Sequence, residues 1–114
     1  MTALFESTWV SVCDLRMLQR ERGVAALLPG GDQVAVFRTH DDQLFALDNL
    51  DPVSGAAVLS RGIVGDRAGS PVVSSPMHKQ VFDLQTGRCL DDPAVSVRAH
   101  PVRLVAGAVQ VGRP

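Results

Sequence analysis

The segment "SSPMHKQVFDLQTG", residues Ser74–Gly87, reads as a loop, a strand and a turn. Pro76 marks the loop, "QVFDL" is a short apolar run, and the Gly87 turn is typical of a hairpin. The loop has the outline of a metal-binding loop, because His78 is a common metal ligand. However, the neighbouring Ser75 offers only a hydroxyl, which is a poor ligand for soft metals. This stretch therefore predicts a β-protein in which the loop before the strand has too few good ligands to bind a soft metal.

The rest of the chain repeats the same rhythm of apolar run and turn. The predicted strands are "VAALL" from Val24, "QVAVFR" from Gln33, "QLFALD" from Gln43, "QVFDL" from Gln80, "VRLV" from Val102 and "AVQV" from Ala108. Turn signals join them at "PGGD" (Pro29–Asp32), "HDD" (His40–Asp42), "QTG" (Gln85–Gly87) and "AGA" (Ala106–Ala108). Consecutive strands joined by such short turns are expected to pair antiparallel, so the pattern predicts an all-β fold.

Two segments depart from this rhythm. "DLRMLQRERG" from Asp14 to Gly23 has a capping aspartate and a terminal glycine, so it predicts at most one short helix. The stretch from Asn49 to Gly69 lacks a convincing strand signal. A connection of that length within a compact domain is usually functional.

Composition sets further limits on function. The 114 residues predict one domain, residues 1–114, and their net charge of −1 makes nucleic acid an unexpected partner. No apolar run approaches the ~20 residues of a membrane span, and the start lacks a basic leader, so we expect a cytoplasmic protein. Cys13 and Cys89 lie far apart without a CxxC motif and are expected to be free thiols.

The quoted segment resembles the second ligand loop of Rieske-type [2Fe–2S] domains, a Cys-Pro-x-His loop followed by a strand and a Thr-Gly turn. Upstream, "LFALDNLDPVSGAAVLSRG" (Leu44–Gly62) resembles the first ligand loop. The resemblance implies a small antiparallel β-sandwich or barrel of Rieske-like ferredoxin topology. It also implies that two loops, Asn49–Ala56 and Val73–Lys79, lie side by side at one end, with the "CLDDP" turn from Cys89 nearby.

The resemblance places the four ligand positions on residues that mostly cannot ligate. The two cysteine positions fall on Asp51 and Ser75, and the two histidine positions on Val53 and His78. A Rieske cluster takes two thiolates and two imidazoles, so we expect no cluster, no metal and no other cofactor on this chain. We expect the cross-link between the loops to be replaced by packing of Val53 and Met77 and by a hydrogen bond between Ser75 and Asp51.

The same phrases more closely resemble the small subunits of assimilatory NAD(P)H-dependent nitrite reductases, a family of Rieske-like domains without the ligands. This resemblance implies a non-catalytic chain that binds a large subunit, which carries FAD, an iron–sulfur cluster and sirohaem and reduces nitrite to ammonium. The expected docking surface is Pro76, Met77, His78 and Lys79. Asp32 is expected at the far end of the domain.

Two other functions are compatible with single residues. The first is a ferredoxin-like electron carrier that binds a metal through His78, Asp51 and Cys89. The second is a hydrolase that uses Ser75 with His78 and Asp51, a set that arises easily by chance in a chain with 12 acidic residues.

Overall fold

The computed structural model describes residues 9–113, which form ten strands in three antiparallel sheets. The strands are β1 (Trp9–Asp14), β2 (Arg22–Leu27), β3 (Gln33–Arg38), β4 (Leu44–Asp48), β5 (Ile63–Arg67), β6 (Ser70–Ser74), β7 (Val81–Asp83), β8 (Ala99–His100), β9 (Val102–Val105) and β10 (Ala108–Gly112). Their order is β1-β10-β9, β2-β3-β4-β8 and β5-β6-β7. The predicted all-β fold is confirmed.

Strand β3 lies at the centre because both of its faces are apolar. Val34 and Val36 on one face and Ala35 and Phe37 on the other are all fully buried. Burying one side chain of this kind contributes roughly 1.5–3 kcal/mol, so a strand buried on both faces is a major source of stability. This explains why "QVAVFR" is a continuous apolar run and not an alternating one.

Two separate cores cover the faces of the central sheet. Val34 and Val36 pack with Val109 and Val111 of β10 in one core. Phe37 packs on the opposite face with Val73 and Phe82, from the β5-β6-β7 sheet, in the other. The central sheet, which ends in loop 1 (residues 51–56), therefore lies between the β1-β10-β9 sheet and the β5-β6-β7 sheet that carries loop 2 (residues 75–80).

The molecule has one end where loops gather, which we call the loop end: the 29–32 turn, residues 49–57, residues 75–80 and residues 90–95. At this end the Asn49 N–H donates to the Gln33 carbonyl at 3.1 Å, joining the start of β3 to the end of β4. The Leu90 N–H donates to the Val81 carbonyl at 2.8 Å, which places the "CLDDP" turn beside the 75–80 loop. The opposite end carries the 39–43 and 67–70 turns, which line one groove of about 320 Å³.

The strands predicted at Gln33, Gln43, Gln80, Val102 and Ala108 are confirmed within one or two residues, and the strand predicted from Val24 begins earlier, at Arg22. Three of the predicted turns join consecutive paired strands, and "QTG" leads from β7 into an isolated bridge between Phe82 and Cys89. The Asn49–Gly69 stretch is not a continuous loop, because it contains β5 and the short 3₁₀ turn Leu59–Arg61. Asp32 lies at the loop end, so its expected position at the far end is wrong.

The predicted short helix is a single 3₁₀ turn, Leu15–Met17, with the Asp14 carboxylate accepting from the Arg16 N–H at 2.9 Å. It does not extend to Gly23, because Glu21 adopts a left-handed φ of 62° and Gly23 already belongs to β2. Cys13 and Cys89 are free, as predicted. Within residues 9–113, no helix has the length and apolar character needed to cross a membrane.

Candidate functional site

Loop 1, residues 51–56, is closed by its own backbone. The Asp51 N–H donates to the Ala56 carbonyl and the Gly55 N–H donates to the Asp51 carbonyl, both at 2.8 Å. The Asp51 carboxylate turns back into the loop, where one oxygen accepts from the N–H groups of Val53 at 2.8 Å and Ser54 at 3.3 Å. This use of an aspartate to hold the following residues is typical of a tight turn.

Loop 2, residues 75–80, has the same backbone pattern. The Ser75 N–H donates to the Gln80 carbonyl at 2.8 Å, and the Lys79 N–H donates to the Ser75 carbonyl at 3.0 Å. The Ser75 hydroxyl accepts from the Met77 N–H at 3.3 Å, as the Asp51 carboxylate does in loop 1. Even the left-handed residue is equivalent, with φ of 77° at Gly55 and 61° at Lys79.

The two loops are joined by a direct hydrogen bond from the Ser75 hydroxyl to the Asp51 carboxylate. Both side chains are buried, with exposed fractions of 1% for Ser75 and 0% for Asp51. Burial of the Asp51 carboxyl raises its pKa. The hydrogen bonds from Ser75 and from two backbone N–H groups, together with the nearby His78, lower it by more, so the pKa of Asp51 lies below its ordinary value. The loops are thus adjacent as predicted, and the predicted Ser75–Asp51 contact is confirmed.

The expected packing of Val53 against Met77 is wrong. Val53 is 43% exposed and Met77 is 51% exposed, so neither side chain is a buried contact between the loops. The reason is that the hydrogen bonds of Asp51 and Ser75 point inward, which leaves the residues two positions further on at the outer turn of each loop. Pro76, His78 and Lys79 are exposed beside Met77. Apolar and basic groups therefore face outward together.

The residues at the four ligand positions do not fit an iron–sulfur cluster. The Asp51 carboxylate and the Ser75 hydroxyl are in contact with each other, so they leave no room between them for a cluster. Val53 has no ligand atom, and only His78 is of a type that the cluster uses. Within residues 9–113, no three His, Cys, Asp or Glu side chains come close enough to share a metal ion.

The structure brings together only some of the residues expected for a metal-binding electron carrier or for a serine hydrolase. Cys89 is 4% exposed and packs in the core with Phe82, away from the loop surface where His78 lies. Ser75 and Asp51 contact each other directly. A catalytic serine donates to a histidine base and must be reached by substrate, whereas Ser75 is buried and donates to the carboxylate.

Several residues that support the loops were not identified from the sequence. Asn49 is 1% exposed, and its side-chain oxygen accepts from the Ser60 N–H at 2.8 Å, which fixes the far side of loop 1. The Asp91 carboxylate accepts from the Val81 N–H at 2.8 Å, next to loop 2. Each contact joins segments that are not adjacent in sequence. The sequence around Asn49 and Asp91 indicates only a turn and does not identify the hydrogen-bond partner.

A further polar network lies at the end of β4. The Asp48 carboxylate contacts His100 Nε2 at 2.8 Å and Arg98 Nε at 3.0 Å, and Arg98 also reaches Asp32 at 3.3 Å. Burial raises the pKa of Asp48, but hydrogen bonds from Arg98 and His100 lower it below its ordinary value. The network joins β8 and the 29–32 turn to the strand that leads into loop 1.

The fold with its two paired loops defines a Rieske-type domain. The profile of the Rieske-like [2Fe–2S] domain family matches residues 8–112. A crystal structure described as an NADH-dependent nitrite reductase small subunit from Mycobacterium tuberculosis is 51% identical, with a TM-score of 0.90 over 93% of this chain and 95% of that one. The nitrite reductase (NADH) small subunit of Escherichia coli K12 is 42% identical over 92% of this chain and 97% of its own length.

A third relative is of a different length. The nitrite reductase [NAD(P)H] large subunit of Klebsiella oxytoca is 46% identical over 96% of this chain, which spans only 11% of that protein. The chain thus belongs to the Rieske-like small-subunit family of NADH-dependent nitrite reductases.

Proposed function

We propose that this chain is a cluster-free, non-catalytic small subunit that docks on the large subunit of an NAD(P)H-dependent nitrite reductase. The observation that carries the proposal is the buried Asp51–Ser75 pair, and the family resemblance assigns the two thiolate positions of cluster-binding domains to these residues. A carboxylate and a hydroxyl that hydrogen-bond to each other hold the loops together without metal. The chain then contributes shape and surface to the enzyme, and no redox group.

The partner is supported by the lengths of the relatives. The domain matches nearly all of a protein named as a small subunit and a minor part of one named as a large subunit. A domain found both as a separate chain and within the longer chain is expected to contact that longer chain. FAD, an iron–sulfur cluster and sirohaem are expected on the large subunit, which would carry out nitrite reduction.

The first experiment measures metal on the purified chain. We expect no stoichiometric iron or acid-labile sulfide and no visible absorption, even after anaerobic reconstitution with iron and sulfide, because three of four ligands are missing. A Rieske relative that retains its ligands is the positive control. Stoichiometric iron with a rhombic signal of Rieske type would contradict the proposal and support the alternative, an electron carrier with an unusual metal site.

The second experiment tests the docking surface of loop 2. Met77→Glu places a charge in the centre of the exposed loop and His78→Ala removes its neighbour. Truncating an interface anchor typically weakens binding by ~1–2 kcal/mol, or roughly ten- to thirtyfold. The control is Asp41→Ala in the 39–43 turn at the opposite end. Co-purification with the large subunit and nicotinamide-dependent nitrite reduction are the measurements, after circular dichroism has shown that each variant is folded.

A further inference from the structure

Exposed apolar side chains are concentrated at the loop end. Among the described residues, nine large apolar side chains are at least 42% exposed. Six of them lie at the loop end or on strand residues that border it: Leu27, Leu50, Val53, Ile63, Met77 and Leu90. The other three, Met17, Leu104 and Val105, lie toward the opposite end, where the Leu15 N–H donates to the Gly107 carbonyl of the β9–β10 turn at 2.9 Å.

Leu27 and Leu50 lie outside loop 2, close to the 29–32 turn and to loop 1. Leu27 is the last residue of β2 and pairs with Gln33, whose carbonyl accepts from the Asn49 N–H next to Leu50. They are 69% and 52% exposed. Both leucines are therefore exposed apolar side chains outside loop 2, and Leu27 lies on β2, the edge strand of the central sheet.

A groove of about 250 Å³ opens between the 29–32 turn and loop 1. Its lining includes the apolar Leu50 and Ala57 and the charged Asp32, Asp48 and Arg98. Arg98 is already paired with both carboxylates, at 3.3 Å and 3.0 Å. Because Arg98 already bonds both carboxylates, the part of the groove left without a partner is the apolar surface of Leu50 and Ala57.

We propose that the docking surface for the large subunit extends from loop 2 across loop 1 to Leu50 and Leu27, and that the groove beside Leu50 receives an apolar side chain of the partner. This inference rests on the proposed function. It is supported by a difference between the relatives: the domain is part of a long chain in one and a separate small subunit in another. A domain within one long chain has a high effective concentration near its neighbours. A separate chain lacks that advantage and needs a buried apolar centre with a polar rim to stay bound.

The test uses full-length variants with matched controls and measures their affinity for the purified large subunit. Leu50→Ser and Leu27→Ser are compared with Leu104→Ser, an exposed leucine at the opposite end. Met77→Ser is compared with Met17→Ser in the same way. We expect each loop-end variant to bind roughly tenfold more weakly than the parent and each control to bind within about threefold of it.

Hydrogen exchange of the complex provides a second measurement that does not depend on the substitutions. We expect the amides of residues 27–33 and 49–57 to gain protection when the large subunit binds, and those of residues 39–43 to stay unchanged. This readout remains informative if a leucine variant does not fold.

The outcomes separate this inference from the proposed function. If Leu27 and Leu50 variants bind like Leu104→Ser and residues 27–33 gain no protection, while Met77→Ser weakens binding, the extension is wrong and docking through loop 2 stands. If the parent chain does not bind the large subunit at all, the proposed function fails and this inference fails with it.

Discussion

Asp51 is the residue on which both loops depend. Its carboxyl group is fully buried and its pKa lies below the ordinary value, and a buried charge is tolerated only when hydrogen bonds replace the lost water. Two donors come from the backbone of its own loop and the third from Ser75 across the gap. One side chain thus shapes loop 1 and fixes its distance from loop 2.

Removing the Ser75 hydroxyl should destabilise the domain. Ser75→Ala leaves the buried carboxylate without its donor from loop 2, which is expected to lower the free energy of unfolding by about 1–3 kcal/mol. Ser96→Ala, at an exposed serine, is the matched control and should change it by less than about 0.5 kcal/mol. Urea unfolding measures both, and equal stability of the two variants would show that the hydrogen bond contributes little.

The pH dependence of stability should identify the ionised carboxylate. The pKa of Asp51 is depressed in the folded state, so its stabilisation is present above the unfolded value of about 3.9 and is lost as pH falls through the folded pKa. Asp51→Asn removes this titration. We expect the variant to be less stable than the parent at pH 7, with a difference that narrows below about pH 4. A difference independent of pH would mean that Asp51 is not ionised in the folded protein.

Among the structural elements, one loop type occurs three times in the described chain. In residues 83–88 the Asp83 N–H donates to the Arg88 carbonyl and the Gly87 N–H to the Asp83 carbonyl, both at 2.8 Å. The Asp83 carboxylate accepts from the N–H groups two and three residues further on, those of Gln85 and Thr86, as the Asp51 carboxylate does in loop 1. The shared element is a six-residue turn that begins with Asp or Ser and has a left-handed fifth residue, whether or not it lies at the loop end.

The fifth residue of this turn differs in its surroundings. Gly55 and Gly87 have nearly the same φ, 77° and 78°, but a Cβ on Gly87 would lie 2.1 Å from the Val97 carbonyl oxygen, whereas one on Gly55 meets nothing within 4 Å. Gly55→Ala should therefore cost only the left-handed strain, about 1–2 kcal/mol. Gly87→Ala should cost more than about 4 kcal/mol, since the backbone must shift as well. Denaturant unfolding of both variants checks this, and equal losses would contradict the steric argument.

At the scale of the whole molecule, the two cores stabilise different parts of the fold. One core packs the central sheet against β10. The other, around Phe37 and Phe82, packs the central sheet against the sheet from which loop 2 emerges. Because Phe37 lies in the central strand, the loop end is supported from the most buried part of the chain. A docking surface on such a support needs little ordering when it binds.

If the chain acts as a separate subunit, nitrite reduction should depend on its concentration. We expect activity per large subunit to rise with added chain to a plateau. In Met77→Ser the half-saturating concentration should rise roughly tenfold with the plateau unchanged, because the variant alters binding and not chemistry. Met17→Ser should follow the parent curve. A lower plateau for Met77→Ser at full saturation would indicate a role beyond docking.

Features encoded locally were predicted from the sequence, and those that need distant partners were not. The Pro29–Asp32 turn was predicted because its own residues determine it. Strand β1 was missed, since it pairs with β10 at the other end of the chain and has no adjacent turn signal. Strand β5 was missed because four of its five residues are exposed and one is Gly65. The Ser75–Asp51 contact was predicted only because the family resemblance placed the two loops side by side.

The mutual dependence of Asp51 and Ser75 restricts how this site can evolve. Replacing Asp51 alone leaves the Ser75 hydroxyl and two backbone N–H groups without their acceptor, and replacing Ser75 alone leaves a buried anion short of a donor. Each single step toward a thiolate pair is therefore unfavourable even where the double change would be tolerated. This is epistasis between two residues separated by 24 positions. It makes the present pair a local optimum that one substitution at a time does not easily leave.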